Sequence, residues 1–177
     1  MSLKRMAKWA IELFFMLLII SAFFWFQSRN MLETGHRIER VTVNGQVDKW
    51  LNTQMGVTEI NLASGDGPSL VYFIAPWCSV CHLSIDNLQS LYADYPGKLN
   101  LYVIALSFDN SDEVVSFVEQ HSLTFPIYLG DEKLAQSVNV SAFPSYYYLD
   151  NQGEVVAKAV GYTTETELKV KHWLHFE

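Results

Sequence analysis

The run LVYFIAPWCSVC, residues 70–81, decides how this chain is read. Its first part, Leu70 to Ala75, is continuously apolar, as in a strand buried on both faces. Pro76-Trp77 bends the chain. Cys81, Ser84, Leu88, Leu91 and Tyr95 then recur at helical spacing until Pro96-Gly97. Cys78 therefore stands where strand gives way to helix, and Cys81 lies one turn inside. A helix N-terminus carries about half a positive charge and several unpaired N–H groups, and both favour an anionic sulfur at Cys78. A thiolate attacks disulfides, whereas a thiol scarcely does. Cys81, deeper in the helix, is placed to resolve the mixed disulfide. The pair reads as a redox-active disulfide, Cys78–Cys81, that needs no other cofactor. The same residues admit other chemistry: half of a zinc site whose second half is missing, or a copper site that borrows a distant His121 or His172. An inert bridge is a further alternative, although it closes only a tiny loop and stabilises little. No metal is expected.

Working outward, the apolar periods alternate. Leu99 to Leu106 reads as a second buried strand. Asn110 or Ser111 caps a helix with Asp112 and Glu113 in its first turn and Val114, Phe117, Val118 and His121 on one face. Phe125 to Leu129 is a short strand behind Pro126, and Leu134, Ala135 and Val138 suggest a short helix. Ser145–Leu149 and Val155–Val160 flank the turn signal Asp150-Asn151-Gln152-Gly153. Thr164-Glu165-Thr166-Glu167 has capping-box form and opens a last helix through Leu168 and Trp173. Upstream, Val41-Thr42-Val43, Asn44-Gly45 and Gln46-Val47 read as a short hairpin, and residues 63–69 as a loop. Strands joined by helices imply parallel pairing, and the late hairpin adds antiparallel strands. The fold class is α/β: a mixed central sheet flanked by helices. Tyr146-Tyr147-Tyr148 reads as packing, and His172 and His175, at i, i+3 on the last helix, as a solvated or rim pair rather than ligands.

Of the 177 residues half are hydrophobic, and the apolar ones are unevenly spread. Trp9 to Phe26, WAIELFFMLLIISAFFWF, is an 18-residue block whose only charge is Glu12, within reach of Lys8 at i−4. As a helix it is about 27 Å long, close to the roughly 30 Å of a hydrocarbon core. It lacks a small-residue cleavage site and is apolar all round, which reads as an uncleaved anchor rather than a signal peptide or core helix. The expected organisation is a cytoplasmic tail over 1–8, a transmembrane anchor over 9–26, a tether over 27–40 and a folded domain over 41–177. Lys4, Arg5 and Lys8 precede the block while Arg29, Arg37 and Arg40 follow it, so the basic counts tie. The closer packing of the first three leans toward the tail in the cytoplasm and the domain outside. Residues 30–177 hold 8 basic and 18 acidic side chains, a net of −10. A domain of that sign repels phosphate backbones, so nucleic acid is excluded as a partner.

The run Leu70 to Cys81, with Trp77 before the first cysteine, resembles the active-site strand and loop of thioredoxin-like proteins. Val140-Ser141-Ala142-Phe143-Pro144-Ser145 resembles the loop that bears that family's cis-proline, and Tyr146 to Asp150 with Gly153 resembles the hairpin after it. Together with the N-terminal anchor, the segment over 99–138 is similar to the TlpA/ResA/DsbE branch, membrane-tethered bacterial thiol–disulfide oxidoreductases. The resemblance implies a thioredoxin-like fold, a nucleophilic Cys78, a resolving Cys81, a cis Pro144 beside the substrate strand, a Phe143 that shapes substrate choice and a Trp77 that shields Cys78. It implies protein thiols and disulfides as substrates, a membrane dithiol protein as electron donor, and an inner-membrane, single-pass chain with its domain in the periplasm, acting as a reductant. At two positions where it implies an acid near Cys81, this sequence has Tyr72 and Ser84. Water assisted by His82 or Asp109 is then the expected proton acceptor. The alternative reading is a copper-binding or copper-delivery module using the same cysteines. A peroxidase reading lacks its arginine, since no Arg occurs between residues 41 and 177.

Overall fold

In the computed structural model, residues 3–63 and 67–176 are described, without the side chains of residues 3–7, 24, 25, 27 and 28. The elements are α1 (Leu3–Ser28), β1 (Arg40–Val47), β2 (Thr53–Asn61), β3 (Ser69–Ile74), α2 (Ser79–Asp94), β4 (Asn100–Ala105), α3 (Ser111–His121), β5 (Ile127–Leu129), α4 (Glu132–Ser137), β6 (Ser145–Leu149), β7 (Val155–Val160) and α5 (Glu165–Phe176). They build a seven-stranded sheet in the order β2-β1-β5-β4-β3-β6-β7. β3 is parallel to β4 and antiparallel to β6, and β4 is parallel to β5. β1 runs antiparallel to both β5 and β2.

The apolar run of β3 is buried at every position because both faces are covered. Leu70, Tyr72 and Ile74 point into a core shared with α2, α3 and α5, which holds Cys81, Ile85, Leu88, Phe117 and Leu168. Val71 and Phe73 point into a second core with Ile104, Leu134, Tyr147 and Met31. The three consecutive tyrosines follow the same alternation and are fully buried. Tyr146 hydroxyl donates to Glu167 (2.9 Å), Tyr148 to the Leu168 carbonyl (3.0 Å), and Tyr147, on the opposite face, to the Val138 carbonyl (2.7 Å).

The N-terminal half departs from the sequence reading. Residues 40–47 form one strand, not a hairpin, and the turn falls at residues 48–52. Asp48 makes that turn: its carboxylate accepts from the backbone N–H of Trp50 (2.8 Å) and Asn52 (3.0 Å). Gly45 marks a bulge where β2 comes close, since a Cβ there would lie 2.5 Å from the Gln54 carbonyl oxygen. β2 is an edge strand with one buried residue, Ile60. The stretch read as a tether is seated on the domain from Met31 onward. Met31 and Ile38 are buried, Leu32 N–H donates to Tyr147 hydroxyl (2.9 Å), and Ile38 N–H donates to the Gly153 carbonyl (2.8 Å). His172, read as solvated or at the rim, is buried against Tyr95, with ring centroids 4.4 Å apart.

α1 exposes Trp9, Phe14, Leu17 and Ile19 and pairs Lys8 with Glu12 (3.9 Å). Among the described residues no helix is long and apolar enough to cross a membrane. The anchor read over 9–26 reaches residues 24 and 25, outside the described side chains, and residues 1 and 2 of the tail and 64–66 of the loop also lie outside the described residues.

Candidate active site

Cys78 is the N-cap of α2. Its backbone is extended (φ −82°, ψ 109°), and its sulfur accepts from the first-turn N–H of Cys81 at 3.3 Å. The turn is closed by Cys78 N–H to the Ala75 carbonyl (3.0 Å) and by the Cys78 carbonyl, which accepts from Cys81 and His82 N–H (3.0 and 3.2 Å). On the other side the Cys78 thiol donates to the Phe143 carbonyl at 3.5 Å. The Phe143–Pro144 peptide is cis. Both cysteines are free thiols. Cys78 keeps 7% of its surface exposed and Cys81 none. Burial, and then the hydrogen bond with Cys78, pushes the Cys81 thiol well above the usual range. A protonated Cys81 behind a surface-touching Cys78 fixes the order in which the two sulfurs meet a partner.

Two aromatic rings flank the sulfur. Trp77 is 62% exposed, yet its indole N–H donates to the Ser107 carbonyl at 2.6 Å and its ring meets Phe143 edge-on at 6.0 Å. Ser107 holds a left-handed backbone (φ 55°), which aims that carbonyl at the indole. Beside Phe143 opens a cavity of about 600 Å³ whose walls include Ser107, Asp131, Gln136 and Asn139.

Behind the sulfurs there is no carboxylate at the two positions where one was implied. Tyr72 is fully buried, stacks on Tyr146 at 5.6 Å, and has no hydrogen-bond partner for its hydroxyl among the described residues. Burial pushes its phenol up, so it stays a neutral hydroxyl. Ser84, buried on the same helix face as Cys81, donates to the Val80 carbonyl at 2.8 Å. Of the proton acceptors named from sequence, His82 has both ring nitrogens engaged, at 2.8 Å to the Pro76 carbonyl and 2.8 Å to His121. Asp109 lies exposed beyond Ser107, its backbone N–H donating to Glu113 at 3.3 Å.

The structure thus brings together Cys78, Cys81, Trp77, Phe143 and Pro144. Sequence reading missed Ser107, whose role rests on a backbone angle, and the bond between His82 and His121, which are 39 positions apart. The histidines weighed as copper ligands point elsewhere: His121 toward His82 and Asp86, His172 toward Tyr95 at the far end of α2. Among the described residues no group of three or more His, Cys, Asp and Glu is arranged to hold a metal ion.

Comparison with known proteins agrees with this geometry. The sequence model of the AhpC/TSA family matches residues 39–158. Thioredoxin-like protein YneN of Bacillus subtilis is 30% identical over 106 residues, 58% of this chain and 61% of that protein, so the match spans about three fifths of that relative. Thiol-disulfide oxidoreductase ResA of Bacillus thuringiensis is 26% identical over 134 residues, 74% of this chain and 77% of that protein. Among solved structures, a putative thiol:disulfide interchange protein DsbE from Chlorobium tepidum superposes with a TM-score of 0.63 at 19% identity, covering 81% of this chain and 96% of that one. At that identity the likeness is one of fold, and the fold is thioredoxin-like.

Proposed function

The chain belongs to the AhpC/TSA family, and on that footing we propose that it is a thiol–disulfide oxidoreductase that reduces disulfides in protein substrates through Cys78 and Cys81. The observation that carries this reading is the pair itself: a sulfur capping a helix at the surface, with a second, protonated sulfur one turn behind it. The names of the relatives, thiol-disulfide oxidoreductases, support it. The Cys78 thiolate attacks one sulfur of a substrate disulfide. That S–S bond breaks, one substrate thiolate leaves, and a mixed disulfide joins Cys78 to the other half. Cys81 then gives up its proton and attacks the Cys78 sulfur. The second substrate thiolate leaves, and the chain is left with a Cys78–Cys81 disulfide. Two electrons have passed to the substrate, whose thiolates take up two protons. The proton of Cys81 passes to water, with Asp109 the candidate to assist, because both His82 ring nitrogens are already engaged.

Trp77, Phe143 and the cis Pro144 form the docking surface: the rings shield the sulfur, and the loop before Pro144 lies alongside the incoming strand. A membrane dithiol protein returns the electrons. Residues 9–26 anchor the chain by one pass through a bacterial inner membrane, residues 1–8 stay in the cytoplasm, and the acidic domain faces the periplasm. The apolar, outward-facing side chains of α1 support the anchor. No separate cofactor is required.

Two measurements test this. The dithiol chain, mixed with insulin or glutathione disulfide, should release two substrate thiols per Cys78–Cys81 pair, and Cys78→Ser should release none. An alkaline wash of membranes should leave the full chain in the pellet and a chain lacking residues 1–29 in the supernatant. Exchange that survives Cys78→Ser refutes the chemistry, and a washed-off full chain refutes the anchor.

A further inference from the structure

We propose that His82, His121 and Asp86 form one hydrogen-bonded relay that carries a single positive charge at the base of the dithiol turn, and that this charge biases the Cys78–Cys81 couple toward its reduced form. The inference rests on the redox reading above, but its first part stands on geometry alone. Four groups lie in a row. The Pro76 carbonyl meets His82 Nε2 at 2.8 Å, His82 Nδ1 meets His121 Nε2 at 2.8 Å, and His121 Nδ1 meets Asp86 Oδ1 at 3.3 Å.

Hydrogens can be counted along that row. A carbonyl oxygen and a carboxylate have none to give, so His82 Nε2 and His121 Nδ1 must each carry one. The inner contact needs a third, because two nitrogen lone pairs facing each other at 2.8 Å repel. Two neutral imidazoles hold only two ring hydrogens in all. The row is complete when the pair of rings holds one proton more than neutrality, with Asp86 as its counter-ion. Phe117 packs against both rings, at 4.6 Å from His82 and 4.9 Å from His121. The His121 side chain is 10% exposed whereas Asp86 is 73% exposed, so the charge is held inside and its partner lies at the surface.

The relay is bonded to the turn on both sides of the first cysteine. The His82 ring holds the Pro76 carbonyl, and the His82 backbone N–H holds the Cys78 carbonyl at 3.2 Å. Among the described residues, these charged and titratable groups stand around it. Asp86 lies on its own helix, Cys78 and Cys81 lie in the turn, and Glu113 on α3 lines the same surface depression. Glu113 is turned back onto the start of α3, where it accepts from Asp109 N–H and Asn110 Nδ2, both at 3.3 Å. A cation beside the turn favours an anionic sulfur there, and an anionic sulfur exists only in the reduced form. A couple whose reduced form is stabilised is the more oxidising one. His82 and His121 are therefore positioning residues that set the poise of the couple.

The test uses the full chain in detergent micelles, labelled with ¹⁵N-histidine. Ring-nitrogen spectra at neutral pH should show three hydrogens shared by His82 and His121. Glutathione equilibration should then compare the parent with His121→Gln, which keeps a donor for His82 Nδ1 but cannot hold the charge. His121→Gln should favour the disulfide by three- to tenfold, a shift of up to about 30 mV toward reducing potential. The ratio of the two proteins' constants should fall toward one once the pH is high enough to take the shared proton from the rings. Asp86→Ala, a change at the surface, should shift the constant the same way by less. Two neutral rings in the parent, or a His121→Gln constant equal to the parent's or offset without pH dependence, would overturn the proposal. If the chain failed to equilibrate with glutathione at all, the oxidoreductase reading would fall, while the hydrogen count would still decide the charge.

Discussion

Replacing Tyr147 by Phe should destabilise the domain by about 2–3 kcal/mol without touching its chemistry. The Tyr147 hydroxyl sits between two distant pieces of chain, donating to the Val138 carbonyl at 2.7 Å and accepting from Leu32 N–H at 2.9 Å. The first bond ties β6 to the end of α4, and the second ties it to the segment that leaves α1. A typical hydrogen bond contributes about 0.5–1.5 kcal/mol net, and a buried group left unpaired costs about 1–3 kcal/mol. Val138 is 2% exposed, so its carbonyl falls in the second class, and half-buried Leu32 falls nearer the first. The phenyl ring itself fills the same space, so no cavity term is added. For a chain of this size the change corresponds to a Tm lower by about 4–12 °C. Tyr148→Phe, which loses one bond of 3.0 Å to the Leu168 carbonyl, should cost about half as much. Urea unfolding read by tryptophan fluorescence gives the comparison. A Tyr147→Phe loss below about 0.5 kcal/mol, or one smaller than that of Tyr148→Phe, would refute the reasoning. Disulfide exchange per folded molecule should be unchanged, because Tyr147 lies on the face of the sheet opposite the cysteines.

Stability should fall steadily in alkali. Burial pushes up Cys81 and Tyr72, Tyr146, Tyr147 and Tyr148, Tyr147 to about 12 from an ordinary 10.0. The unfolded chain therefore releases these protons first, so the stabilisation is complete below about pH 8 and is lost as pH rises toward the folded values; urea midpoints that stay flat from pH 8 to about pH 11 would contradict this. Gly45→Ala should cost about 1–3 kcal/mol, because its Cβ would sit 2.5 Å from the backbone oxygen of Gln54; equilibrium unfolding checks it, and a neutral substitution would mean that β2 shifts freely. Phe143→Ala should slow reduction of a folded protein disulfide by about tenfold, or about 1.4 kcal/mol, while glutathione disulfide, too small to span both rings, slows much less. Equal slowing of both substrates would place Phe143 in the chemistry rather than in docking.

How much of this was legible in the sequence depends on where each signal resides. β3 and α2 were readable because burial on both faces and helical spacing leave their mark in consecutive residues, and the hairpin from Ser145 to Val160 carried its turn residues in line. β2 was not readable: only Ile60 is buried, so an edge strand with two open faces shows no alternation. Asn44-Gly45 imitates a hairpin turn, but the glycine is there for the close approach of β2, and the true turn is made by the single side chain of Asp48. In the site, the two cysteines and Trp77 were visible as a motif, and Phe143 and Pro144 through resemblance. The relay of His82, His121 and Asp86 was not, because it joins α2 to α3 only after both pack on the sheet. His172 was misread for a similar reason, since the contact that buries it comes from Tyr95, just past the end of α2.

The division of labour between the two sulfurs is open to one direct measurement: intact mass of Cys81→Ser and Cys78→Ser chains after exposure to a disulfide-containing protein. Cys81→Ser should accumulate a stable covalent adduct on Cys78, and Cys78→Ser should remain unmodified because Cys81 is fully buried and protonated. An adduct on Cys81 that forms as fast as the one on Cys78 would contradict the account.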